Sequence, residues 1–176
     1  MRHKKERKNA MEETFNITVE MLRVKGACVS GIRDFLKEFP REQYPDGADY
    51  QEVLNRCAEN ERPNYAEWLL NEFGATNKTL SVDKINTDGY VFFAGRIEAR
   101  GEIRCKAIRA GREIKAGWDI KAGWCIEAGW GIKAGGDFGV YAGLAVRLSD
   151  KSQYAKITAK EKPANIICGE WVPFDD

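Results

Sequence analysis

From Gly95 onward an aliphatic or aromatic residue returns on a fixed beat, and that beat limits the fold more than any other feature of the sequence. Ile97, Ile103, Ile108, Ile114, Ile120, Ile126, Ile132, Phe138 and Leu144 lie six residues apart in seven of the eight steps, and the step from Ile103 to Ile108 is five. Two places after each stands a small or short residue: Ala99, Cys105, Ala110, Ala116, Ala122, Ala128, Ala134, Val140 and Val146. Gly111, Gly117, Gly123, Gly129 and Gly135 follow, so the unit reads I-x-A-G-x-x. An amphipathic helix fails this pattern. Residues i and i+2 lie about 200° apart on a helix, and a glycine per repeat costs about 1 kcal/mol each time. A short strand fits it, with Ile and Ala pointing one way, the residue between them the other, and glycine at a corner. A two-residue link cannot return such a strand to a parallel neighbour unless the chain keeps winding. Three six-residue faces make an 18-residue turn, a triangular β-solenoid filled by Ile and Ala. A twelve-residue, two-faced turn leaves a thinner core, and a meander of tiny hairpins lacks the two-residue hairpin signatures.

The single short step sets the expected stacking. Ile97, Ile114 and Ile132 share one face, Ile103, Ile120 and Phe138 the second, and Ile108, Ile126 and Leu144 the third. Each buried Ile contributes roughly 1.5–3 kcal/mol. About three turns make a short column whose ends present unpaired strand edges. A helical segment before it covers the first edge in this reading. Strand-like stretches at Ala155 to Thr158 and Asn165 to Val172 extend or close the last, and end-to-end self-association is the other solution.

The outward positions carry charge. After each Ile stand Glu98, Arg104, Arg109, Lys115, Lys121, Glu127 and Lys133, and residues 91–147 hold ten basic and six acidic side chains. A mixed solvated surface accounts for these, as does a weak phosphate-binding track through Arg104, Arg109, Lys115 and Lys121. Trp118, Trp124 and Trp130 occupy equivalent repeat positions. Three indoles do not fit inside so narrow a prism, so the spacing places them at the corners as a belt, with Trp130 beside Arg112 and Trp124 beside Lys106 in cation–π range. Either the belt is structural or it is an interaction surface, since Trp and Arg are enriched at hot spots.

Upstream, the sequence divides into a polar basic start over 1–16, a small helical domain over 17–76, the solenoid over 77–148 and capping strands over 149–176. Met21, Val24, Cys28, Ile32 and Phe35 recur at helical steps after Thr18, a candidate N-cap, with Gly26 and Gly31 as weak points and Pro40 as the stop. Asp49 with Glu52 opens a second helix over Tyr50 to Ala58, and Asn64 with Glu67 a third over Tyr65 to Phe73, stopped by Gly74. Thr79 to Val82 and Gly89 to Ala94 read as short strands. Residues 41–72 hold eight acidic side chains against Arg41, Arg56 and Arg62. Asp49, Glu52, Glu59 and Glu67 are therefore candidates for an acidic face that engages a basic groove.

Several classes of chemistry lack their parts. The sole histidine, His3, stands in the polar start, which removes Ser-His and Cys-His pairs and His-liganded zinc. Cys28, Cys57, Cys105, Cys125 and Cys168 form no CxxC pair and read as reduced thiols. No P-loop, GxGxxG, GxSxG or HExxH occurs. No apolar run approaches the roughly 20 residues of a membrane span. The expectation is a cytoplasmic, non-enzymatic protein with no cofactor and no metal.

The stretch GREIKAGWDIKAGWCIEAGWGIKAGGDFGVYAGLAVRLS resembles the repeat segment of bacterial and mobile-element proteins with GxIxAG repeats, and ACVSGIRDFLKEFP and NYAEWLLNEFG resemble the helical segments that precede such repeats. The repeat is also similar to that of the bactofilin-type polymer-forming β-helices. Left-handed hexapeptide acyltransferases share the period, but they rely on a histidine that this repeat lacks. The first resemblance implies an α+β protein, a helical domain capping a short solenoid, that antagonises a host defence complex by protein–protein contact, as an anti-CRISPR protein does. The second implies filament-like self-assembly through the solenoid ends. Candidate contact residues are Trp118, Trp124, Trp130, Arg104, Arg109, Lys115, Lys121, Asp49, Glu52, Glu59 and Glu67. A nucleic-acid partner is the less favoured expectation.

Overall fold

The computed structural model describes residues 15–174. Residues 1–14 of the basic start, with His3, lie outside the described residues. Phe15 and Asn16 are folded in: the Phe15 ring meets Tyr50 edge-on at 5.5 Å, and β1 (Asn16–Ile17) pairs antiparallel with β2 (Ala48–Asp49).

Four helices follow, not three. The stripe that reads as one helix is divided into α1 (Val19–Val24) and α2 (Val29–Glu38). Gly26 adopts φ +78°, a conformation glycine tolerates at a helix end, and turns the chain there. The break resets the phase, so Val19 and Leu22 are buried while Val24 and Cys28 face water. Thr18 caps α1 by accepting from the Met21 N–H, and Asp49 caps α3 (Tyr50–Glu59) by accepting from Gln51 and Glu52. Helix α4 (Pro63–Phe73) begins two residues before the expected start. Pro63 takes a first-turn position, where its missing N–H costs nothing, and Asn64 is inside the helix rather than its cap.

The coil begins with β3 (Thr79–Val82), β4 (Ile85–Asn86) and β5 (Tyr90–Phe93), the first turn of a three-faced parallel β-solenoid. Face 1 continues through β6 (Arg96–Ala99), β9 (Ile114–Ala116) and β12 (Ile132–Lys133). Face 2 continues through β7 (Ile103–Cys105), β10 (Ile120–Ala122), β13 (Val140–Tyr141) and β15 (Ile166–Cys168). Face 3 continues through β8 (Ala107–Ala110), β11 (Ile126–Ala128), β14 (Lys156–Ala159) and β16 (Glu170–Pro173). Every pairing in these three sheets is parallel, as one winding chain requires. Inside, Ile97, Ile103, Ile108, Ile114, Ile120 and Ile126 are wholly buried, with Ala and Cys105 at the short positions between them.

The column is longer than the repeat alone indicates, about five turns instead of three. Segments without the repeat supply the first turn and the last. Two ladder positions also differ from the expected register. Val140, not Phe138, stacks on Ile120, and Ile157, not Leu144, stacks on Ile126. The corner Gly135–Gly139 is wider than the others, which delays the return to face 2 by two residues. After Ala142 the chain then leaves the wall, forms a 3-10 turn (Leu148–Asp150) and a short helix α5 (Lys151–Tyr154), and re-enters at β14. Phe138 instead stacks on the Trp118 ring, and Leu144 is 55% exposed.

The first turn and the helices share one core. Tyr90, Phe92, Ala94 and Ala107 pack with Tyr50, Leu54, Ala66 and Leu69. Gln51 closes the outer edge of β5: its side-chain amide donates to the Phe92 carbonyl at 2.8 Å and accepts from the Ala94 N–H at 3.0 Å. One carboxamide thus replaces a neighbouring strand at that edge.

Candidate binding surface

Because side chains alternate across a strand, each face presents one outward row. The three rows differ sharply. Face 1 shows Ser81, Glu98, Lys115 and Lys133 in register. The nearly buried Glu113 carboxylate lies 3.3 Å from Lys115, 3.6 Å from Lys133 and 3.4 Å from Arg96, so this row is a neutralised ladder. Face 3 shows Phe92, Arg109, Glu127, Thr158 and Val172. Phe92 is buried under the helices, and Arg109 pairs with Glu127 at 2.6 Å and with Glu67 of α4 at 3.3 Å. Burial alone would pull the Arg109 pKa down, but the two carboxylates outweigh it and raise it.

Face 2 is different. Its row is Asn86, Arg104, Lys121 and Tyr141, with Ile167 turned outward at an irregularity between β13 and β15 and 64% exposed. The corner before β10 carries Trp118, 55% exposed and stacked on Phe138 at 6.0 Å with an interplanar angle of 21°. The corner after β10 carries Trp124, 37% exposed, with Tyr90 edge-on at 6.1 Å and Tyr154 tilted at 6.0 Å. The Lys106 ammonium stands 4.6 Å from the Tyr90 ring centre and 5.3 Å from that of Trp124, held by Glu61 at 3.0 Å, and this hydrogen bond raises its pKa. Lys121 lies 5.4 Å from the Tyr141 ring and donates to Asp119 at 2.7 Å. Asp119 also accepts from the Gly139 N–H, which is the main cause of its lowered pKa. The result is a flat β-surface framed by two fixed aromatic corners, with cations between them.

Of the residues singled out by sequence, Trp118, Trp124, Arg104 and Lys121 therefore come together. The others do not. Trp130 sits at the third corner, between faces 3 and 1, under Arg112 at 4.3 Å. Lys115 and Arg109 lie on the other two faces, so the four basic residues form no single track. Asp49 is spent on capping α3 and pairing Lys78, Glu52 accepts from the Tyr44 hydroxyl, Glu59 pairs with Arg56, and Glu67 with Arg109. Each of these four carboxylates has a partner within the chain, although Glu59 and Glu67 stay exposed. Phe138, which the repeat places inside, belongs to the surface together with Tyr141, Tyr154 and Ile167. Among the described residues no cluster of potential metal ligands occurs, and no helix is long and apolar enough to cross a membrane.

Fold and surface together define a β-solenoid protein with an amino-terminal helical cap. A family model, the YdhT N-terminal domain, matches residues 11–77, so the helical part is similar to that domain. No curated protein and no solved structure matches the chain.

Proposed function

We propose that the chain is a non-catalytic binding protein that occupies a surface of a larger protein complex through face 2. The observation that carries this reading is the convergence of Trp118, Trp124, Arg104, Lys121 and Tyr141 on one open face. Trp, Tyr and Arg dominate interface energetics because they bury large area at small entropic cost, and the stacking and cation–π contacts here hold both indoles in place before any partner arrives. The host-defence antagonist role, with a host complex as partner, rests on the resemblance of the repeat to mobile-element proteins. The test compares a Trp118→Ala, Trp124→Ala, Arg104→Glu variant with a Trp130→Ala, Lys115→Glu variant, both verified as folded by circular dichroism. Quantitative co-purification from host lysate is expected to lose a partner only in the first. A partner retained equally by both variants refutes face 2 as the contact surface.

A second reading, bactofilin-like self-assembly, is favoured by one feature. Among the described residues β15 and β16 have no strand on their outer sides. Light scattering across concentration tests it, since a constant monomer mass excludes it. The separation of Arg104, Arg109, Lys115 and Lys121 onto three faces removes the main support for a nucleic-acid track.

A further inference from the structure

The helical domain contains a cleft of about 580 Å³ that face 2 does not involve. All four helices line it. Helix α2 forms one wall, and although it is strongly amphipathic none of its residues is buried. Phe35, Val53, Cys57, Tyr65, Trp68 and Leu69 give the cleft an apolar, partly aromatic interior. This volume lies within the roughly 300–1,000 Å³ of small-molecule sites. The polar groups at its margin are unequally engaged. The Tyr65 hydroxyl donates to Asp34 at 3.3 Å, and Arg56 pairs with Glu38 at 3.3 Å, so both carboxylates have partners. Lys37 stands one turn past Asp34, and Arg62 one turn before Tyr65, with its guanidinium 5.9 Å from the Tyr65 ring centre. Neither Lys37 nor Arg62 has a carboxylate within ion-pair distance among the described residues. The lining thus carries three cations, Lys37, Arg56 and Arg62, against two carboxylates, Asp34 and Glu38, beside an apolar interior.

From this pairing we infer that the cleft binds a small anionic amphiphile, with its chain or ring against Phe35 and Trp68 and its carboxylate or sulfonate at Lys37 and Arg62. The volume of about 580 Å³ and the net positive lining match a small anionic molecule. Charged hydrogen bonds from Lys37 and Arg62 select an anionic headgroup, and apolar burial supplies affinity. The site is independent of face 2, and its ligand is a small molecule rather than a protein.

The probe is decanoate below its micelle concentration, followed by titration calorimetry on the full chain. One-to-one saturable binding is expected, with decanol and decyltrimethylammonium at least about tenfold weaker. Lys37→Gln with Arg62→Gln, both at exposed positions, is expected to weaken decanoate about tenfold without altering thermal unfolding. Trp118→Ala with Trp124→Ala is expected to leave it unchanged. Bound decanoate is also expected to slow alkylation of Cys28, which lines the cleft. Absence of saturable binding overturns the inference. So does equal affinity for decanol, or loss of binding in the Trp118/Trp124 variant in place of the charge variant.

Discussion

At the scale of single residues, the repeat glycines are explained by space rather than by backbone conformation. A Cβ built on Gly95, Gly111, Gly117, Gly129 or Gly135 overlaps a backbone carbonyl oxygen of the turn below it, because successive corners stack almost directly. Gly123 is the exception. Its nearest neighbours would stand at 3.4 Å, at the corner where the turn beneath has only Lys106 between two strands. Gly117→Ala is therefore expected to cost about 2–3 kcal/mol, the upper range for overpacking. Gly123→Ala should fall within about 0.5 kcal/mol of the parent. Urea denaturation of the two variants measures the difference. The thiols divide in the same local way. Burial pushes Cys57, Cys105 and Cys125 up to about 12, whereas Cys28 is exposed and lowered by hydrogen bonds from the Ser30 hydroxyl and the Gly31 N–H. The lowered group is a thiolate at a pH where an ordinary thiol is still protonated. Alkylation of Cys28 should thus outpace that of the three buried thiols, with its pH–rate midpoint below the ordinary value, and Ser30→Ala should move the midpoint upward. Peptide mapping by mass spectrometry after timed alkylation checks both.

At the scale of elements, the ladder register decides which apolar residues carry stability. Ile120→Ala and Ile157→Ala each remove a wholly buried side chain and are expected to cost about 2–5 kcal/mol. Leu144→Ala, at an exposed position outside the ladder, should cost no more than about 0.5 kcal/mol. A large loss at Leu144 and none at Ile157 in denaturant melts would restore the register expected from sequence alone. That contrast marks what the chain makes legible. The interior of the middle turns is written directly, because every Ile meets its counterpart above and below and the six-residue spacing is broken only once, by the five-residue step from Ile103 to Ile108. The first turn is written weakly, since Val91 and Phe93 replace the Ile–Ala pair inside and the outward Tyr90 and Phe92 are covered by helices. The last turns are hidden by the excursion over 143–155, which breaks the spacing while leaving the ladder intact in space. The surface was half legible for a related reason. Repeat position shows which residues point outward, as for Arg104 and Lys121, but each successive repeat moves to the next face. A basic row in sequence, Arg104, Arg109, Lys115 and Lys121, is therefore divided over three faces. Tyr154 and Ile167 come from segments with no repeat at all.

At the scale of the whole molecule, the helices and the coil are joined by one core and by one partly buried ion cluster, and this makes them a single mechanical unit. Phe92 and Tyr90 lie in the helical core, Gln51 closes the β5 edge, and Arg109 on the coil is held between Glu127 of the next turn and Glu67 of α4. Such a junction predicts that the far-ultraviolet helix signal and the tryptophan fluorescence lose their native values together on heating, with no intermediate. It also predicts how the junction fails. Arg109→Ala leaves Glu127 facing Cys125 without its cation, which costs about 3 kcal/mol, the lower end for a broken buried pair because Glu127 keeps some contact with water. Arg109→Met with Glu127→Leu removes both charges and keeps the volume, so it should recover most of that loss. If the double variant is as unstable as Arg109→Ala in urea melts, the loss comes from packing of the Arg109 stem and not from the stranded carboxylate. If instead the two spectroscopic transitions separate in Arg109→Ala alone, the cluster is what makes helices and coil unfold as one.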